Sequence, residues 1–286
     1  MNGRSIGRES DAEPPLRTTA GPLEPFAVLW RHRRLIGQLT RRDIASRYRG
    51  SVFGILWSLL NPLFLLAAYT FVFTTIFKMK WNVGIESKSQ FAIVVFAGMI
   101  VHGLFAECAG RAPGLILANA NYVKRVVFPL EILPWTTVLS ALFHTGVSFL
   151  VLLGFVFVES QQIQWTVVFA PVVLLPLAIL TVGTCWIFAA VGVFLRDLGY
   201  VVGLLVTLLL FLSPVFYPLD AVPPEYREII YLNFLTLIIE QLRAVAIFGA
   251  MPDWRALAVY SVASIGVSWI GLYWFRRSKR GFADVL

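Results

Sequence analysis

An arginine-rich segment near the N-terminus is the part of this chain best suited to binding an anion. Between residues 26 and 50 the basic residues are arginines apart from one histidine, and no lysine occurs. A planar guanidinium group binds carboxylate or phosphate with two hydrogen bonds, which favours an anionic lipid headgroup or a substrate phosphate as the ligand. A simple membrane anchor is the alternative interpretation. The candidate residues are Arg31, Arg34, Arg41, Arg42, Arg47 and Arg49.

Aromatic residues recur in two apolar segments and could contact a sugar ring or a lipid tail. In the first segment every fourth residue is aromatic, so these residues share one face of a helix. The alternative is a stripe that only packs helices together or faces lipid. The candidate residues for such a contact are Tyr69, Phe73, Phe77, Phe211, Phe216 and Tyr217.

The segment 117–128 mixes polar, cationic and large apolar residues. A short helix here would present Tyr122, Val123, Val126 and Val127 to the aqueous side. Exposed apolar residues of this kind are typical of a docking surface. A loop that packs back on its own bundle is the alternative.

Several kinds of chemical site are missing from the sequence. It contains no G-x-x-x-x-G-K-[ST] phosphate-binding loop, so we expect no ATP bound in that manner. His32, His102 and His144 have no acidic partner at a catalytic spacing. Cys108 and Cys185 have no metal-binding spacing and are predicted to be buried free thiols. We therefore expect neither a catalytic site nor a cofactor or metal on this chain.

Polar groups are sparse in and beside the apolar segments, and they are Asn61, Glu107 and His144. Glu107 is a functional candidate, because a charged group at membrane depth is costly and is usually retained for a purpose. His144 has no other ionisable group in its segment, so it is predicted to form a hydrogen bond between helices.

The composition places these residues in an integral membrane protein. Of the 286 residues, 58% are hydrophobic and only 14% are charged, whereas soluble domains carry about 25% charged residues. The net charge of +8 could indicate nucleic-acid binding. The basic residues instead lie at the ends of apolar segments, which is a signal of membrane topology, and we predict no nucleic-acid partner.

The hydropathy pattern predicts six membrane spans. The second is short, and it is predicted to extend toward Pro113 with part of its surface shielded from lipid by protein. An even number of spans puts both termini on one side, and 18 of the 24 Lys and Arg residues then lie on that side. The positive-inside rule makes it the cytoplasmic side. The predicted spans are 55–77, 91–106, 132–158, 166–195, 200–219 and 256–275.

Amphipathic segments flank these spans. Residues 26–48 are predicted to form an interface helix in the plane of the membrane surface, after a mobile cytoplasmic tail formed by residues 1–25. The external region 220–255 holds two apolar runs, 229–239 and 244–251, that are too short to span and predict re-entrant helices. The apolar residues of the interface helix are Phe26, Leu29, Trp30, Ile36 and Leu39.

These elements define the predicted fold class, an all-α membrane protein. Six transmembrane helices occupy residues 51–276, with an N-terminal amphipathic interface helix and short re-entrant helices before the last span. Glu240 and Arg243 lie between the two external apolar runs at i,i+3 spacing. Residues 277–286 are predicted to be a cytoplasmic C-terminal tail.

From Arg41 to Leu286 the chain resembles the transmembrane subunits of ABC-2 type exporters of lipid-linked polysaccharides, which include O-antigen, capsule and teichoic acid. One departure is Leu-Asn-Phe-Leu-Thr at 232–236, where many relatives carry Asn-Pro. The segments that carry the resemblance are RRDIASRYRGSVFGILWSLLNPL (41–63), NYVKRVVFPLEILP (121–134), FLRDLGY (194–200), LSPVFYP (212–218) and FADVL (282–286).

The resemblance implies a homodimer in the bacterial inner membrane that works with two separate ATP-binding cassette subunits. Those subunits would bind ATP and Mg²⁺. The first and fifth spans would line a channel, and the re-entrant helices would close its outer end. Residues 117–128 would be the helix that couples to the ATPase. Its contact residues would be Asn119, Tyr122, Lys124, Arg125 and Val126.

Export of a lipid-linked polysaccharide is therefore the leading hypothesis, and this chain alone is not expected to be an enzyme. An ABC-2 exporter of small hydrophobic compounds is the second hypothesis. A membrane-embedded glycan polymerase or ligase is the third. The charged residues Asp220, Glu225, Arg227 and Glu228 of the predicted external region give it little support.

Overall fold

A computed structural model describes residues 21–72, 88–123 and 128–285 of the protein. These residues form α-helices joined by short 3-10 turns, and no strand occurs among them. The fold is all-α, as predicted. The helices are α1 (Glu24–Arg31), α2 (Arg33–Arg47), α3 (Trp57–Thr70), α4 (Lys88–Arg111), α5 (Ala120–Val123), α6 (Ile132–Ser160), α7 (Ala170–Phe194), α8 (Leu198–Leu212), α9 (Pro224–Leu232), α10 (Phe234–Ala246), α11 (Trp254–Ser278) and α12 (Phe282–Val285).

Four helical stretches are long and apolar enough to cross a membrane, and they make this a multi-pass membrane protein. They match the predicted second, third, fourth and sixth spans. The second extends to Gly114, and 78% of its most apolar window is buried inside the protein. Its predicted extension and its shielding by protein are therefore confirmed. The four stretches are Gln90–Gly114, Ile132–Ser160, Trp165–Phe194 and Trp254–Gly281.

The predicted first and fifth spans correspond to the shorter helices α3 and α8. Helix α8 has 15 residues, or about 22 Å of length, which is less than the roughly 30 Å hydrocarbon core. The prediction that this helix reaches residue 219 was wrong. It ends where Ser213 becomes extended (φ −91°, ψ 149°), because the residue before a proline, here Pro214, avoids the helical region. Residues 73–77 lie outside the described residues, so the count of six spans stays a prediction.

The predicted interface helix is two helices, α1 and α2, which meet at His32 (φ −109°, ψ 16°). Val28 and Ile36 are buried in the core. Trp30 was assigned to the same apolar face but is 72% exposed, with the Arg33 guanidinium 4.8 Å from its ring centre. Because the helix breaks at His32, helical spacing counted across that residue does not hold.

The region predicted to be external bends by 94° between α9 and α10. Asn233 forms the corner, since its side-chain oxygen accepts a hydrogen bond from Leu235 N–H at 3.0 Å and caps α10. The bend lies inside the predicted apolar run 229–239, not at Glu240 and Arg243, which both belong to α10. The second predicted run, 244–251, does not form a helix of its own, because α10 ends at Ala246.

The end of the bundle near the C-terminus is closed by the C-terminal residues. Phe282 is fully buried, with ring centres of Phe275 and Phe194 at 5.5 and 6.0 Å. Cys108 and Cys185 are also fully buried and free, as predicted.

Helices α7 and α11 approach each other at small residues. A Cβ atom added to Gly271 would lie 2.3 Å from the carbonyl oxygen of Gly183, and one added to Gly183 would lie 2.6 Å from Ser268 Cα. Small residues at a helix interface allow backbones to pack this closely within a membrane.

Candidate functional site

Four charged residues join the interface helix to α4. Asp43 and Arg47 lie one turn apart on α2, and Glu107 and Arg111 lie one turn apart on α4. Arg111 donates hydrogen bonds to both carboxylate oxygens of Asp43, at 2.7 and 3.1 Å. Arg47 pairs with Glu107, and Arg111 lies 3.7 Å from the same carboxylate. We call these four residues the α2–α4 ion cluster.

The α2–α4 ion cluster holds two positive and two negative side chains, so its formal charge is zero. Its side chains are 25–35% exposed. Burial raises the pKa of Asp43, but the hydrogen bonds and charge of Arg111 reverse this and hold that pKa below its ordinary value. Asp43 is therefore ionised at neutral pH, and the link between α2 and α4 is present there.

A second contact ties the end of α2 to the third predicted span. The Tyr48 hydroxyl lies 3.2 Å from Nδ1 of His144 on α6. The two rings meet edge to face, with centres 5.7 Å apart. The hydrogen bond between helices that was predicted for His144 is thus found, with the residue that caps the C-terminus of α2 as its partner.

A cavity of about 530 Å³ lies beside these contacts, between the end of α2, the first turns of α3, and the middle of α4 and α6. One part of its wall is apolar and includes Leu65, Phe96, Ile100 and Leu104. The other part is polar. Its polar residues include Arg47, Tyr48, Ser58, Asn61, Glu107 and His144.

The predicted anion-binding arginines fall into two groups. Arg47 is engaged with Glu107, and Arg42 Nη1 donates to the Tyr122 hydroxyl at 3.4 Å. The second group is exposed and forms no ion pair with a described residue. It consists of Arg31, Arg34, Arg41 and Arg49.

The predicted docking segment is only partly described, because Lys124, Arg125 and Val126 lie outside the described residues. Asn119 Nδ2 donates to the Leu115 carbonyl at 2.8 Å. The Tyr122 ring stacks on Phe128, with centres 4.3 Å apart and planes within 9°. Tyr122 and Phe128 are also partly buried against the hydrophobic core, so part of the segment packs on its own bundle, as the alternative interpretation stated. Its docking role stays a prediction.

Three of the predicted channel aromatics come together at the end of α8. Phe211 is 63% exposed and its ring centre lies 6.2 Å from that of Phe216. The Tyr217 hydroxyl donates to the Phe211 carbonyl at 3.2 Å. Tyr69 lies on α3, partly buried against the core, while Phe73 and Phe77 are outside the described residues. A lumen between these two groups stays a prediction.

Sequence reasoning missed the central role of Arg243. Its side chain is fully buried, and it pairs with Glu240 at 2.8 Å. It also donates to the carbonyls of Val94 at 3.0 Å, Pro214 at 2.7 Å and Val215 at 2.9 Å. One guanidinium thus fastens α10 to α4 and to the chain that follows α8. The signal available in the sequence was the position of this arginine between two apolar runs, where a charged residue is costly.

Sequence reasoning also missed a second ion cluster, which lies at the start of α1. Arg276 Nη2 lies 3.0 Å from the Glu24 carboxylate. Glu131, at the start of α6, lies 3.4 Å from Lys279 Nζ and 3.8 Å from Arg276 Nε. These pairs connect α1, α6 and the end of α11.

The α2–α4 ion cluster leads to a prediction for Glu107→Gln. The change leaves Arg47 and Arg111 facing each other without their shared carboxylate. The cluster is partly exposed, so we expect a loss of about 1 kcal/mol, or a melting temperature lower by a few degrees. Intrinsic fluorescence of the purified protein measures this. Glu225→Gln, at an exposed position of α9, is the control, and equal melting temperatures for the two variants would contradict the prediction.

The chain is similar in sequence to known proteins over most of its length. The O-antigen export system permease protein of Myxococcus xanthus is 29% identical over 90% of this chain and 96% of its own length. The corresponding Klebsiella pneumoniae protein is 29% identical over 88% and 95%. The polysialic acid transport protein of Escherichia coli is 26% identical over 82% and 90%. The ABC-2 type transporter profile matches residues 34–247, and the chain therefore belongs to the ABC-2 type transporter family.

Proposed function

We propose that this chain is the permease subunit of an ATP-driven exporter, which moves a lipid-linked polysaccharide of the O-antigen or capsule type across the bacterial inner membrane. The observation that carries the proposal is the likeness to relatives named for O-antigen export and polysialic acid transport. These relatives match at least 82% of the chain. Both termini are cytoplasmic in this proposal, on the basis of the positive-inside rule.

The energy for export comes from a partner. The sequence has no phosphate-binding loop, so two separate ATPase subunits hold ATP and Mg²⁺ and act on a homodimer of this chain. Conformational changes of the ATPase are transmitted to the membrane helices through the segment around Tyr122. The hydrogen bond from Arg42 supports this route, because it joins that segment to the interface helix.

The exposed arginines of α1 and α2 attract the anionic membrane surface and the phosphate of the incoming substrate. Each contributes on the order of 1 kcal/mol near such a surface. Arg47 acts differently from Arg31, Arg34 and Arg41, because its charge is balanced by Glu107. Reversal of Arg47 would disturb the α2–α4 ion cluster before it affected lipid attraction.

The aromatic residues at the end of α8 contact the glycan as it moves through the protein. A polymer that slides needs weak, repeated contacts, and aromatic faces give apolar contact with the C–H groups of sugar rings. Phe211, Phe216 and Tyr217 are close enough to form one such platform. Tyr69 contributes from α3 if the two helices face each other across a lumen.

Reconstitution with the ATPase encoded beside this chain tests the proposal. We expect ATP hydrolysis to be stimulated by lipid-linked glycan, and surface glycan to be lost when the gene for this chain is deleted. Stimulation by hydrophobic drugs and not by glycolipid would favour the drug-export hypothesis. Glycan elongation by the purified chain without ATP would favour a polymerase or ligase.

Tyr122→Asp tests the coupling segment. A carboxylate at this position disrupts the stack on Phe128 and places a charge in an apolar contact. We expect at least a tenfold loss of glycan export with unchanged insertion of the protein into the membrane. Surface glycan and copurification of the ATPase are the measurements. Asn121→Asp, at an exposed neighbouring position, should keep export, and equal export by both variants would refute the coupling role.

A further inference from the structure

The cavity beside the α2–α4 ion cluster has the size and the mixed lining of a ligand site. Its volume of about 530 Å³ lies within the roughly 300–1,000 Å³ range of small-molecule pockets. It is bounded by α2, α3, α4 and α6, so a molecule inside it would contact both the interface helix and three helices of the bundle.

The charges in its wall do not select an anion. Arg47 and Glu107 are the charged residues of the lining, and they are paired with each other. A phosphate bound to the other N–H groups of Arg47 would lie next to the Glu107 carboxylate and would be repelled by it at short range. A neutral ligand keeps the pair intact and can use it as both donor and acceptor.

The remaining polar lining suits hydroxyl groups. Ser58, Asn61 and Ser148 offer hydroxyl and amide groups, and Trp57 adds an aromatic ring. Hydroxyl and amide groups both donate and accept hydrogen bonds. The apolar part of the wall, which includes Phe96, could hold a hydrocarbon chain.

We propose that this cavity binds a neutral, hydroxyl-rich sugar headgroup that is attached to an apolar chain. The attribution of that headgroup to the exported substrate rests on the proposed function. In that case the cavity receives sugar units of the glycan, and the apolar part of its wall lies against their C–H groups. The phosphate and the lipid anchor, which are bonded to each other, remain together outside the cavity.

A larger side chain at position 103 would occupy part of the cavity. Gly103 lines the cavity, and a Cβ atom added to it would meet no heavy atom within 4 Å. Gly103→Leu therefore puts a side chain into the space without a backbone clash. Gly110, on the same helix, also has open space around its Cβ position but does not line the cavity, so Gly110→Leu is the matched control.

Binding to the purified full-length chain in lipid nanodiscs tests the proposal without the ATPase. The probes are decyl maltoside, decyl phosphate and decanol, and native mass spectrometry reports the retained ligand. We expect decyl maltoside to bind at least tenfold more tightly than either other probe. Gly103→Leu should reduce that affinity at least tenfold, and Gly110→Leu should leave it unchanged. If Gly103→Leu does not fold, Ser148→Leu fills the cavity from α6.

Three outcomes of the binding measurement would overturn the proposal. Preference for decyl phosphate would make the cavity an anion site, and equal affinity for decanol would make it a purely apolar one. Maltoside binding that survives both filling variants would place the sugar elsewhere. Sugar binding without glycan export would refute the proposed function and leave the cavity assignment standing, whereas export without sugar binding would do the reverse.

Discussion

Arg243→Met is expected to destabilise the protein more than any other substitution proposed here. The change removes a fully buried guanidinium and leaves Glu240 and the carbonyls of Val94, Pro214 and Val215 without its hydrogen bonds. Glu240 is 37% exposed, so the main cost comes from the three buried carbonyls left without a donor, each of which costs about 1–3 kcal/mol. This corresponds to a melting temperature lower by on the order of 10 °C, which thermal unfolding of the detergent-purified chain measures.

Two further variants make the Arg243 prediction specific. Arg255→Met removes an exposed arginine at the start of α11 and should leave the melting temperature within about 1 °C of wild type, because surface substitutions have small effects. Arg243→Lys keeps a charge for Glu240 but loses the planar fork, so it should fall between wild type and Arg243→Met. A melting temperature of Arg243→Met equal to that of Arg255→Met would show that the buried contacts do not stabilise the fold.

Gly271→Ala is expected to produce the second-largest effect. The added methyl group would lie 2.3 Å from the carbonyl oxygen of Gly183, so α7 and α11 must move apart along their contact. Overpacking of this kind costs about 1–3 kcal/mol and occasionally more. Yield of folded protein and melting temperature should both fall.

Gly266→Ala is the matched control on the same helix. A Cβ atom at Gly266 meets no heavy atom within 4 Å, and alanine is the better helix former. This variant should be as stable as wild type or slightly more stable. If Gly271→Ala behaved in the same way, the close approach of α7 and α11 would not be a constraint on the fold.

Local patterns in the sequence accounted for much of the architecture. Hydropathy found the four long helices, because a span of about 20 apolar residues is visible in one window. Amphipathic periodicity found the interface segment but not the break at His32. The rule that the residue before a proline avoids the helical region predicts that α8 ends near Ser213. The predicted span extended to residue 219 because the apolar residues continue past Pro214.

The site depended on contacts that a single sequence does not encode locally. Asp43 and Arg111 are 68 residues apart, and Arg243 reaches Val94 across 149 residues. Each of these residues was visible as a charge, but its partner is set by the way the helices pack. The division of the arginines into engaged and exposed groups follows from the same packing.

Because both native cysteines are buried, we expect neither to react with a water-soluble thiol reagent. Cys108 and Cys185 are enclosed among the helices, where a water-soluble maleimide cannot reach the sulfur atoms. A cysteine introduced at position 69 or 211 would therefore report its own accessibility during turnover, with the native residues left in place. The channel hypothesis can therefore be tested with single cysteine variants, and the two native cysteines need not be removed first.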